Sequence, residues 1–208
     1  MLQLELFNTY ATGFKTSDRL KVLVGCEYSG VIRNAFAAKG CDAWSCDIIP
    51  SESETPGNHF LCDVREVIDR GWDIAIFHPP CTALAVSGAR WFPEKQAEIE
   101  RSLNFVKELM NAPIPRIAIE NPVGLINSLI CKPTQIIHPW QFGEAENKST
   151  CLWLKNLPKL TPTKVIPKSD RKNTLYRLPP SADRGKLRSK TFAGIANVMA
   201  KQWTEYCL

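Results

Sequence analysis

The chain has 208 residues, with 26 lysines and arginines against 21 aspartates and glutamates, a formal charge of +5. A chain of this length forms one domain with its own core. Its 44% hydrophobic and 23% charged residues exclude disorder, collagen and coiled coil, and no apolar run reaches the ~20 residues of a membrane span.

Residues 1–19 read as a polar arm outside the main fold, without the basic-then-apolar order of a secretory leader. Residues 20–25 are apolar and β-branched and stop at Gly25, the pattern of a buried parallel strand. A helix follows over 30–39, with Val31, Ala35 and Ala38 on one face and Gly40 ending it. Further strands are expected at 41–49, 59–63, 73–78, 116–120 and 134–138. Between the fourth and fifth strands, 93–110 reads as a helix with Pro93 in its first turn and Ile99, Leu103, Val106 and Met110 facing in. Helical spacing returns over 191–206 through Ile195, Val198, Met199 and Trp203.

This alternation predicts an α/β fold, a mostly parallel sheet with helices on both faces. In such sheets ligands bind beyond the carboxyl ends of the strands. The expected organisation is an arm (1–19), a catalytic and cofactor-binding core (20–147), a basic segment (148–190) and a C-terminal helix (191–208). The basic segment holds twelve lysines and arginines against Asp170 and Asp183, so the remainder of the chain is net acidic. Five prolines between 158 and 180 predict an irregular backbone there.

The eight cysteines lie at 26, 41, 46, 62, 81, 131, 151 and 207, never as Cys-x-x-Cys. They read as reduced thiols in a cytoplasmic protein, mostly core residues, with no metal site.

The strand ends carry the chemistry. Gly25-Cys26-Glu27-Tyr28-Ser29-Gly30 joins the first strand to its helix, either as a tight turn or as a cofactor loop. Glycines there admit a ligand to the backbone, and a helix N-terminus offers amide donors. Glu27 repels phosphate, so a neutral or cationic cofactor bearing a ribose, such as S-adenosylmethionine, fits better. Asp47 ends the second strand, where an acid accepts ribose hydroxyls. Asp63 ends the third, either to take an adenine amino hydrogen or to cap the following helical turn.

Phe77-His78-Pro79-Pro80-Cys81 leaves the fourth strand through two prolines, a rigid exit that puts a thiol at the sheet rim. Residues 82–91, rich in small side chains, read as a loop that closes over a substrate. Glu120 and Asn121 leave the fifth strand. A carboxyl at an apolar rim is expected to have a raised proton affinity, suited to acid work.

Pro-Pro-Cys after the fourth strand and Glu-Asn after the fifth resemble the DNA (cytosine-5) methyltransferases, from about residue 20 to the C-terminus. The resemblance implies a Rossmann-like S-adenosylmethionine-dependent methyltransferase fold. It makes Cys81 the nucleophile at carbon 6 of cytosine, Glu120 the acid at ring nitrogen 3 and Asn121 its structural partner. Gly25 to Gly30, Asp47 with Ile48, Asp63 with Val64, and Pro79 match cofactor-binding positions. Asn197, in Ile195-Ala196-Asn197-Val198, matches the late Gly-Asn motif, with Ala196 in place of glycine. The family's Gln-x-Arg-x-Arg motif stands here as Glu146-Asn147-Lys148-Ser149-Thr150, where Lys148 supplies one cation and no arginine occurs.

The basic segment falls where the family keeps target recognition, in reduced form. Lys164, Lys168, Arg171, Lys172, Arg177, Arg184, Lys186 and Arg188 are candidates for phosphate contact. Arg90 and Trp91 are candidates to fill the stack left by a flipped cytosine in duplex DNA. The resemblance implies a bacterial or phage-type enzyme, acting in restriction-modification, regulation or phage self-protection. The expected state is a monomer with no membrane association. Two readings stay open beside it: a related pyrimidine-5 modifying enzyme on a nucleotide, RNA or modified DNA, and a non-catalytic nucleic-acid-binding protein that keeps the fold. Gln3-Leu4-Glu5-Leu6-Phe7 is similar to the pentapeptide that binds the bacterial sliding clamp, with an added strand as the alternative.

Overall fold

In the computed structural model, which describes residues 19–55, 57–181 and 184–208, the first apolar run forms strand β1 (Lys21–Gly25). The chain continues through α1 (Val31–Ala37), β2 (Asp42–Asp47), β3 (Asn58–Leu61), β4 (Ile74–Phe77), α2 (Gln96–Met110), β5 (Ile117–Pro122) and α3 (Leu125–Leu129). Then come β6 (Gln135–Ile137), β7 (Thr150–Lys155), α4 (Arg184–Ser189) and α5 (Ala193–Cys207). Gln3 to Phe7, and with them the clamp-like pentapeptide, lie outside the described residues.

Among the described residues, seven strands form one sheet in the order β3-β2-β1-β4-β5-β7-β6. β1 pairs in parallel with both β2 and β4, β2 with β3, and β4 with β5, whereas β7 runs antiparallel to β5 and β6. The fold is therefore α/β with a mostly parallel mixed sheet. From β1 the chain runs outward through β2 and β3, then returns to the other side of β1 for β4 and β5. Strand order reverses at β1 and β4, and their ends lie side by side in the Gly25–Phe77 pairing.

Both sheet faces are covered, which is why Val22–Val24 of β1, all of β4 and Ile117–Ile119 of β5 are apolar. Val22 and Val24 of β1 pack with Ile74 and Ile76 under α1 and α5. Leu23, Ala75, Phe77, Ile117 and Ile119 face the other way, under α2 and α3. Helix α1 buries Ile32, Ala35 and Phe36, a face rotated from the expected Val31, Ala35 and Ala38 because it meets both the sheet and α5. The helix expected from 93 begins at Gln96; residues 86–95, with Pro93, wind as tight three-residue turns, as the missing proline N–H favours. Ile99, Leu103 and Val106 are buried as expected, and Leu109 takes the innermost place expected for the half-buried Met110. The α5 residues Ile195, Val198, Met199 and Trp203 are buried as their spacing predicts.

β7 lies inside the stretch assigned from sequence to the irregular basic segment, yet it occupies the sheet between β5 and β6. Thr150 to Trp153 are buried, so the sheet takes in residues 150–155 and the irregular backbone begins after them. All eight cysteines are free thiols. No helix among the described residues is long and apolar enough to cross a membrane.

Candidate active site

The turn leaving β1 is built for the protein's own packing. A side chain on Gly25 would meet the Phe77 ring at 2.5 Å and Val64 at 2.8 Å. Gly30 has φ +69, and a Cβ there would lie 2.7 Å from the Arg33 guanidinium. Neighbouring side chains fill the space that a Cβ on either glycine would take, and neither glycine is among the residues that line the cavity at the strand ends. Cys26 also sits at positive φ (59°), a strained conformation for a side-chain-bearing residue. Beyond it, the buried Glu27 accepts from the Ile32 amide at 2.7 Å and the Arg33 amide at 3.3 Å. The amino end of α1, expected to offer free donors, is capped from within by this carboxylate. Burial pushes the Glu27 carboxyl above its ordinary value, against the opposing His78 charge, the two amides and the Arg33 charge.

Arg33 is itself buried, with its guanidinium donating to Ser45 Oγ and to the Asn58 and Thr55 carbonyls. It ties the loop before β3 to α1. Asp47 follows at the end of β2, half-buried, with Oδ1 accepting from the Ile49 amide at 3.2 Å. Burial raises its carboxyl, opposed by the Ile48 and Ile49 amides and the His59 and His78 charges. Asp63 caps the turn Val64–Glu66 in a reciprocal capping box, one of its two expected roles, and pairs with Arg65 at 3.0 Å. Together these acids surround Cys26, whose thiol is pushed up to about 12 by burial and by Asp47 and Asp63, against Arg65.

The neighbouring strand ends bring Cys81 and Glu120 together. β4 pairs with β5 through Phe77–Ile119, so the residues beyond each leave the sheet side by side. The Asn121 amide donates to the Pro79 carbonyl at 2.8 Å, and the Leu84 and Ala85 amides donate to the Cys81 carbonyl. Farther along, Leu125 donates to the Leu84 carbonyl and Val86 to the Val123 carbonyl. Any side chain on Gly124 would strike the Leu84 carbonyl, so glycine permits this close approach.

Glu120 accepts from His78 Nδ1 through Oε2 at 2.8 Å, in a pair whose side chains are only 13% and 12% exposed. Burial pushes the Glu120 carboxyl up, but the hydrogen bond and charge of His78, with Lys148, outweigh it and hold the group below its ordinary value. The sequence-based expectation of a raised proton affinity is therefore reversed, because the rim also holds the His78 imidazole, hydrogen-bonded to the carboxylate, with Lys148 nearby. Burial raises the Cys81 thiol, Glu120 raises it further, and Lys148 and Arg188 oppose both. At neutral pH the resting pair is a thiol beside a carboxylate.

A cavity of about 1330 Å³ joins the two groups of strand ends. One side is walled by Cys26, Glu27, Tyr28, Ser29, Asp47, Ile48, Asp63, Val64 and Pro79. Cys81, Glu120, Asn121 and Lys148 line the other, with Arg90 and Trp91 from the loop after Cys81. Arg90 lies over the Trp91 ring at 4.8 Å, and Trp91 is exposed. The basic segment adds Lys186, Arg188 and Lys190 to the wall. Its α4 is anchored there by the Lys186–Glu52 ion pair and by Tyr28 and Ser189 hydroxyls 3.2 Å apart.

Other candidates lie outside this cavity. Asn197 is exposed on α5, because that helix turns Ile195, Val198 and Met199 inward. Arg171 stacks on Trp140 at 3.5 Å and donates to the Ile166 carbonyl, while Lys172 exchanges backbone hydrogen bonds with Ala145 and Asn147. Lys164 lies against Gly143, and Lys168 and Arg177 are exposed. Arg184 contacts the Tyr176 carbonyl at 3.4 Å. Buried Glu146 accepts from the Thr174 and Leu175 amides, so the segment holding Lys148 also anchors the basic segment.

Sequence reasoning assigned no role to His78, Arg65 or Lys190. His78 carried a signal, as a titratable residue at a strand end directly before Pro-Pro-Cys. No protein-family model matches the chain, and no curated protein matches it.

Proposed function

We propose that the chain is a cytosine-5 methyltransferase acting on DNA, with Cys81 as nucleophile and a Rossmann-like methyltransferase fold. The observation that carries this reading is one cavity onto which Cys81 and Glu120 open from adjacent strand ends, with Glu27, Asp47 and Asp63 on its other side.

Those acids suit a cationic cofactor, and the amino end of α1 is closed to a phosphate by Glu27. S-adenosylmethionine fits this donor set: Asp47 for the ribose hydroxyls, Asp63 for the adenine amino group, and Ile48 and Val64 as apolar flanks. When bound it supplies an electrophilic methyl group. Asn197, which faces away from the cavity, is not included.

The pyrimidine 5-position is too electron-poor to take a methyl group directly. Addition of the Cys81 sulfur at carbon 6, with a proton delivered to nitrogen 3 by Glu120, makes it nucleophilic. Asn121 fixes the nucleophile's exit relative to Glu120, and Lys148 supplies positive charge beside both. Loss of the carbon 5 proton and elimination of Cys81 restore the enzyme. A cytosine in duplex DNA must be flipped into the cavity, and the basic segment at its mouth offers phosphate contacts that offset the lost stacking.

Tritiated S-adenosylmethionine and duplex DNA containing 5-fluorocytosine test the reading. Wild type is expected to form a covalent, denaturation-resistant complex, and Cys81→Ser none. Equal behaviour of the two would defeat it. Competition among dCMP, RNA and duplex DNA in the same assay identifies the pyrimidine substrate.

A further inference from the structure

His78 has no role in the chemistry so far, yet its imidazole is hydrogen-bonded to the proposed acid. Its Nδ1 lies 2.8 Å from Glu120 Oε2, and both side chains are nearly buried. The backbone that carries the ring is held, because the His78 amide donates to the Gly25 carbonyl at 3.0 Å and two prolines follow. His78 lines the cavity, and its Nε2 is buried with no partner among the described residues.

A carboxyl group delivers a proton from one oxygen at a time. An Nδ1–H directed at Oε2 makes that oxygen the acceptor and confines the transferable proton to Oε1. When that proton leaves, the same N–H meets a full carboxylate, and the hydrogen bond strengthens. We propose that His78 is a positioning residue for Glu120, holding Oε2 so that Oε1 alone exchanges a proton with ring nitrogen 3 of the pyrimidine. This rests on the methyltransferase reading.

The step balances without any further reagent. The resting thiol passes its proton to the Glu120 carboxylate and becomes a thiolate. Its sulfur then bonds to carbon 6, the electron pair of the carbon 5–carbon 6 double bond moves between carbons 4 and 5, the carbon 4–nitrogen 3 π pair moves onto nitrogen 3, and nitrogen 3 takes the Oε1 proton. Glu120 ends as a carboxylate beside His78. Among the described residues, charged and titratable groups around the pair are Glu27 after β1, Asp47 at the end of β2, Cys81 after β4, Lys148 before β7 and Cys151 on β7. Because the carboxylate must receive the thiol proton, activity falls as pH drops through the Glu120 ionisation. Removing the His78 charge lets burial raise that ionisation, so the loss sets in at higher pH.

His78→Gln keeps a donor without a charge, and His78→Leu removes both. At saturating cofactor and DNA, His78→Leu is expected to slow methyl transfer about 100-fold, with part of the rate regained in His78→Gln. Both variants should bind S-adenosylhomocysteine as wild type does, with the acidic limb of the rate profile moved to higher pH. Carbon-13 NMR of glutamate-labelled protein, with the Glu120 signal identified by its loss in Glu120→Gln, should show the same shift without substrate. Wild-type rates and an unmoved carboxyl titration would overturn the proposal, as would equal losses in both variants with weakened S-adenosylhomocysteine binding. Absence of methyl transfer by wild type defeats the methyltransferase reading instead, and the carboxyl titration still decides whether His78 governs Glu120.

Discussion

The Asn121 side-chain amide donates to the Pro79 carbonyl across 2.8 Å, so the strand that carries Glu120 holds the exit that carries Cys81. Pro79 and Pro80 have no N–H of their own, and this bond fixes a backbone that cannot donate to its neighbours. Asn121→Ala is expected to cost about 1–3 kcal/mol by leaving a buried carbonyl unpaired. Methyl transfer should fall with it, while S-adenosylhomocysteine still binds. Urea denaturation and calorimetry check this; an unchanged midpoint together with an unchanged rate would count against it.

Gly25 and Phe77 are a second such pair. Gly25→Ala places a methyl group against the Phe77 ring and Val64, with no room on either side. Overpacking of this kind costs about 1–3 kcal/mol. Phe77→Leu in the same chain should return part of that stability, giving a favourable coupling in a double-mutant cycle. Strict additivity of the two substitutions would show that the contact does not matter.

The charges around Cys81 set its reactivity. Thiolate, not thiol, is alkylated. Burial and then Glu120 raise the Cys81 thiol, so Glu120→Gln should lower it and speed alkylation by iodoacetamide at pH 8. Lys148→Ala removes an opposing charge and should slow it. Mass spectrometry of the Cys81 peptide follows both rates, with the exposed Cys131 as internal reference. Rates that move in the opposite order would refute the electrostatic assignment.

Cations of the basic segment are expected to divide by position. Arg188 lines the cavity and bears on Cys81, so Arg188→Ala should lower turnover at saturating DNA. Lys168 is exposed outside it, so Lys168→Ala should weaken binding to all DNA sequences alike. Its log–log salt slope should fall by about 0.9 for one lost phosphate contact. Identical phenotypes for the two variants would remove the distinction.

The sequence by itself determined the strand ends. An apolar run that stops near Gly25, His78 or Glu120 is a local pattern, and local patterns survive folding when the strand is central and buried on both faces, as β1, β4 and β5 are; β3, before Asp63, is a partly exposed edge strand. The capping role of Asp63 was legible for the same reason, since donor and acceptor are close in the chain. β7 was not, because Thr150 to Trp153 lie in a stretch whose charge and prolines dominate any average over it. Nor were the uses of Gly25 and Glu27, or the sign of the Glu120 shift. Those were decided by the tertiary structure. His78 and Glu120 are 42 residues apart in sequence and meet only through the register of β4 on β5. Burial alone would have raised that carboxyl; the imidazole that register brings beside it lowers it instead.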